Sequence, residues 1–187
     1  MTPRVLIAGV GNLLLQDDGL GPHAIARLQA EYEFGDEVEL LDIGTPGLDF
    51  VDYLVGRDVL IIIDALSSGG EPGEILTFDK TQLKAFFPGM RLSAHQPCLQ
   101  ETLHTAETAG IDLKEIVLVG VVGHSFEVGT ELGPYVSRAL PGVLELIVEF
   151  VKRHNIAVTK RAQALPASEW WQAEVAVKAE RGINPRP

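Results

Sequence analysis

Cysteine is nearly absent: Cys98 is the only one in 187 residues. A single thiol excludes an internal disulfide and a cysteine-rich zinc site. Positive charge is also short, with 15 Lys and Arg against 26 Asp and Glu and a net charge of −11. A phosphate backbone would be repelled overall, so no nucleic-acid partner is expected. Long apolar runs are missing too, and none approaches the length of a membrane span. The short apolar run at residues 5–10 breaks at Gly11-Asn12 and offers no small-residue cleavage site, which does not fit a secretory signal. These absences together predict a cytoplasmic protein that engages neither membrane nor nucleic acid. What is present is 46% hydrophobic and 22% charged, ordinary for one globular domain with a sizeable core.

Residues 4–10 form a continuous apolar run of strand length bounded by glycine, the pattern of a strand buried on both faces. Ile25, Leu28 and Tyr32 then recur at helical spacing. Residues 38–43 read as the next strand and 48–55 as a short helix. The clearest central strand is 58–64, where Val59-Leu60-Ile61-Ile62-Ile63 stands between Asp58 and Asp64. Residues 73–78 resemble a strand nearer the edge, 97–109 a helix with Pro97 in its first turn, and 115–122 another strand. Helical periodicity covers 132–154, although Pro141 is expected to bend it or start a new segment. Strand and helix alternate throughout. This predicts a three-layer α/β/α fold with a mainly parallel twisted sheet and helices on both faces. One domain is expected over 1–158, followed by a C-terminal extension, 159–187, that could be partly helical. The extension carries five basic residues against three acidic ones and displays Trp170 and Trp171.

In open α/β sheets, ligands gather beyond the carboxyl ends of the strands. Three polar features fall there: the loop holding Asp17 and Asp18, then Asp64 at the end of its strand, then His95 before a later helix. Two carboxylates and an imidazole meeting at one rim would make a mixed oxygen and nitrogen site. Such a set suits a borderline divalent ion such as nickel or zinc and leaves coordination positions open. Each residue also has an ordinary reading. Asp17 or Asp18 could cap the first helix, Asp64 could simply end a strand, and His95 could be structural.

Rival patterns are weaker. Gly9-Val10-Gly11 resembles the start of a dinucleotide fingerprint, with Asp42 as the ribose contact, but Leu14 stands where the third glycine belongs. Asp17 and Asp18 would also oppose a pyrophosphate at that helix terminus. No H-E-x-x-H motif is present, and Glu127 replaces the last glycine of a nucleophile elbow around Ser125. Cys98, near a helix start, is a conceivable nucleophile and more readily a buried structural thiol. His104 and Glu107 read as a solvated helix face.

Several motifs, taken in order, resemble the hydrogenase maturation proteases. They are Gly9-Val10-Gly11-Asn12, Asp17-Asp18-Gly19-Leu20-Gly21, Gly44-Thr45-Pro46-Gly47, Ile63-Asp64-Ala65 and Ser93-Ala94-His95-Gln96. The stretch 120–141 is also similar, and the resemblance spans roughly residues 3–154. It implies an endopeptidase that removes a C-terminal extension from a nickel-iron hydrogenase large-subunit precursor after nickel insertion. It further implies that Asp18, Asp64 and His95 contact the metal and carry the chemistry. The loop with Asp42, Gly44, Thr45 and Gly47 would take part in substrate recognition. The nickel would belong to the precursor, so no permanent cofactor is expected. A non-enzymatic, nickel-dependent binding or chaperone module is the alternative. Oligomeric state stays open.

Overall fold

Residues 4–67, 70–85 and 95–166 are described by a computed structural model. The positions Ser93, Ala94, Trp170 and Trp171, the Cys98 side chain and all residues from 167 onward lie outside that description.

The first strand, β1 (Val5–Val10), leads through a 3-10 turn (Gln16–Gly19) into helix α1 (Leu20–Glu31). After the short strand β2 (Tyr32–Phe34), β3 (Val38–Gly44) pairs with β1 in parallel. A second 3-10 segment (Leu48–Leu54) precedes β4 (Val59–Leu66), which pairs with the other edge of β1. Strand β5 (Ile75–Asp79) and helices α2 (Lys80–Ala85) and α3 (Gln96–Thr108) come next, then β6 (Glu115–Val122). Helix α4 (Pro134–Arg153) and strand β7 (Val158–Lys160) complete the order. The main sheet runs β3-β1-β4-β6-β5, with only the edge strand β5 antiparallel. The expected three-layer architecture is the one observed.

Alternation along β4 assigns each residue to a face. Val59, Ile61, Ile63 and Ala65 join the core shared with α1 and α4, whereas Leu60, Ile62 and Leu66 join the core shared with Phe50, Leu54, Leu83 and Leu99. Asp64 occupies the register between Ile62 and Leu66, so its carboxylate belongs to the α3 side. All eight residues of β4 are buried, as expected for a central parallel strand.

Two features depend on packing rather than on local sequence. Helix α4 is one helix through Pro141, so no new segment starts there. Proline inside a helix costs about 3 kcal/mol. Val136, Leu140, Val143, Leu144, Ile147, Val148 and Val151 are all buried along one stripe, each contributing roughly 1.5–3 kcal/mol, so packing wins. Pro141 itself is exposed, as is Ser137, whose carbonyl loses the helical donor and can turn to water. Secondly, β7 pairs antiparallel with β2, and the backbone N–H groups of Arg161 and Leu165 reach the carbonyls of Glu31 and Ala30. Residues 158–165 are therefore hydrogen-bonded to β2 and to the end of α1. Both strands have three residues, too few for a readable alternation. Among the described residues, no helix is long and apolar enough to cross a membrane.

Candidate metal centre

Asp18, Asp64 and His95 come from three separate stretches of the chain and meet at the carboxyl end of the sheet. One donor atom from each lies within 4.8 Å of the others. Both carboxylates are only 3% exposed.

Asp64 is delivered by the C-terminal part of the apolar β4, two residues before its end at Leu66. Asp18 sits in the 3-10 turn, where its Oδ2 accepts the Asn12 N–H at 2.9 Å. The turn is pressed close by Gly11, whose φ is +139°. A Cβ there would fall 1.8 Å from the Asp18 carbonyl oxygen, so only glycine permits this approach. His95 immediately precedes α3, and its carbonyl accepts the Leu99 N–H at the first helical turn. Its Nε2 lies 3.1 Å from Asp18 Oδ2 and 3.3 Å from Oδ1.

Electrostatics favour a cation here. Burial alone pulls the His95 imidazole down, but the hydrogen bond to Asp18 and the charges of Asp64 and Asp18 outweigh it and hold the group above its ordinary value. The same surroundings would favour a divalent ion, which would neutralise the two carboxylates more fully than an imidazolium. The donor set, two oxygens and one nitrogen, fits a borderline ion and leaves positions for further ligands.

The expectation that Asp17 or Asp18 caps the first helix does not hold. Gly19 is the N-cap of α1 and no side chain caps it. Asp17 is not one of the three grouped donors, and its carboxylate accepts the backbone N–H groups of His124, Ser125 and Gly133. Nothing in the local sequence of the doublet reveals this, because all three donors are more than a hundred residues away. The residues of the incomplete nucleophile elbow supply two of these donors.

The segment expected to recognise substrate begins inside β3, which contributes Asp42 and Gly44, and continues past its end on the same rim. Asp42 is exposed and its Oδ1 accepts the Gly44 N–H at 3.0 Å, while Gly44 adopts φ +62°. The Gly44 carbonyl accepts the Gly11 N–H at 2.8 Å. Gly11 thereby joins this loop to the turn that carries Asp18. Thr45 and Gly47 are exposed beyond it. His23 on α1 also serves the rim: its Nε2 lies 2.9 Å from the Thr130 carbonyl. Sequence reading missed His23, since a lone helical histidine carries no signal of so distant a partner.

Comparison with known proteins gives a consistent picture. The model of the HycI hydrogenase maturation protease family matches residues 22–150. That span includes Asp64 and His95, with Asp18 four residues upstream. The hydrogenase expression/formation protein HupD of Rhizobium leguminosarum bv. viciae is 33% identical over 162 residues, covering 86% of this chain and 80% of that one. The hydrogenase 2 maturation protease of Escherichia coli K12 is 32% identical, covering 84% and 96%. Among solved structures, the hydrogenase maturating endopeptidase HybD from E. coli superposes with a TM-score of 0.79 at 32% identity, covering 85% of this chain and 98% of that one.

Proposed function

The chain belongs to the hydrogenase maturation protease family, and from that premise we propose that it cleaves the C-terminal extension of a nickel-iron hydrogenase large-subunit precursor once nickel is in place. The observation that carries the metal-gated part of this reading is the approach of one donor atom each from Asp18, Asp64 and His95 to within 4.8 Å. The nickel arrives with the precursor and is part of the substrate, so the protease needs no resident cofactor. Three protein donors leave open positions that the precursor's own thiolates can fill.

In this reading Asp18 and Asp64 supply charge and oxygen donors, and His95 supplies an imidazole nitrogen. Their grip on the ion fixes the attached polypeptide against the rim, which lowers the entropic barrier to attack on its peptide bond. The 42–47 segment, hydrogen-bonded to Gly11, would read the chain that enters, a role supported by its nearness to the turn that carries Asp18.

The test is mass spectrometry of a large-subunit precursor before and after incubation with this protein. Nickel-loaded precursor should lose a short C-terminal peptide and nickel-free precursor should not. Equal shortening of both would overturn metal gating, and intact mass with stable complex formation would favour the chaperone reading.

A further inference from the structure

The doublet Asp17-Asp18 sends neighbouring carboxylates to different partners. Asp18 faces Asn12 and His95. Asp17, fully buried, receives three backbone donors from the loop at 124–133: His124 and Ser125 on Oδ2 at 2.8 and 2.9 Å, and Gly133 on Oδ1 at 2.7 Å. The main chain of the turn is laced to the same loop. Asp17 N–H donates to Ser125, Gln16 N–H to Gly129, and Gly129 N–H to Leu14. Gln16 adopts φ +45°, a left-handed conformation uncommon for a residue with a side chain, and the lacing holds it there. At Gly133 a Cβ would fall 2.9 Å from Asp17 Oδ1, so only a glycine lets that N–H come so near.

We propose that Asp17 is a positioning residue for the metal-facing carboxylate: by bolting the 124–133 loop to the turn, it fixes where Asp18 points. The inference rests on the functional reading of Asp18, Asp64 and His95 given above. Asp17 is not one of the three grouped donors, so its effect passes through its neighbour. Outer residues that orient a ligand typically change metal affinity ten- to a hundredfold when altered. The coupling is reciprocal, so an ion held by Asp18 should also steady the loop.

Asp17→Asn keeps size but replaces an accepting oxygen with an NH2 group, which strips at least one loop N–H of its acceptor. The comparison variant is Ile147→Ala, which opens the α4 core away from the rim. For both, and for the unaltered chain, the Ni2+ dissociation constant is measured by calorimetry. Single-turnover processing of nickel-loaded precursor is measured per folded molecule. Asp17→Asn should weaken Ni2+ binding about tenfold or more and slow processing of nickel-loaded precursor by a similar factor. Ile147→Ala should lower stability and alter neither quantity. Asp17→Asn behaving like Ile147→Ala would overturn the proposal while leaving the protease reading intact. An unaltered chain that neither binds Ni2+ nor processes precursor would overturn both. A second measurement covers the case where Asp17→Asn does not fold. In the unaltered protein, Ni2+ should slow hydrogen exchange at the His124, Ser125 and Gly133 amides, and unchanged exchange there would also overturn it.

Discussion

Replacing Asp64 with asparagine should make the metal-free protein more stable and destroy its function. Asp18 and Asp64 present carboxylate oxygens no more than 4.8 Å apart in a site where each is 3% exposed. At an effective dielectric near 20, two unit charges at that separation repel by about 3.5 kcal/mol. A protonated His95 offsets part of this, and asparagine loses some favourable contacts of its own. The surviving gain is roughly 1–2 kcal/mol, largest at mildly alkaline pH, where the imidazole has shed its charge. For a chain of this length that raises Tm by roughly 2–8 °C. The assay is thermal and urea unfolding of both proteins in chelator, repeated with excess Ni2+. An ion at a hundred times its Kd stabilises by about 2.7 kcal/mol, which should lift the unaltered protein above the variant and reverse their order. Asp64→Asn being less stable in chelator, or gaining as much from Ni2+, would refute the argument that these carboxylates are held together for a cation.

His95→Gln should abolish processing and flatten the pH dependence of stability measured in chelator. The raised His95 value means its charge stabilises the fold below the ordinary histidine range, and that contribution is lost as pH rises through the folded-state value. Urea midpoints across the range from about pH 5.5 to about pH 9 would show this, and parallel curves for both proteins would contradict it. Gly11→Ala forces a Cβ against the Asp18 carbonyl oxygen in a left-handed backbone. The expected loss is about 3 kcal/mol or more, and a midpoint unchanged from the parent would count against the tight approach. Asp42→Ala removes an exposed acceptor of the Gly44 N–H. It should cost about 1 kcal/mol of stability, and a clear rise in KM for precursor is the test of the loop's role in recognition.

Elements set by local periodicity are legible in the sequence alone. The β4 run between Asp58 and Asp64 could hardly be anything but a buried strand, and β6 begins and ends where its apolar pattern does. Asp18, Asp64 and His95 were legible as neighbours because strand ends in a parallel sheet share one rim, a rule of topology rather than of local sequence. What was hidden depends on contacts distant in sequence. The split of the Asp17-Asp18 doublet is decided by amides at 124, 125 and 133, and the persistence of α4 through Pro141 by a buried stripe that outweighs one missing hydrogen bond. Strands β2 and β7 stabilise each other only as a pair, so neither carries its own signature.

That ribbon has a bearing on how the polypeptide can be shortened. Helix α1 ends with carbonyls that have no further turn to receive them, and two of them, on Ala30 and Glu31, are answered by amides at Leu165 and Arg161. A gene truncated after His154 would keep every strand of the main sheet yet leave the last turn of α1 to fray. The shortest fragment that keeps the whole of α1 capped should therefore run at least to Leu165.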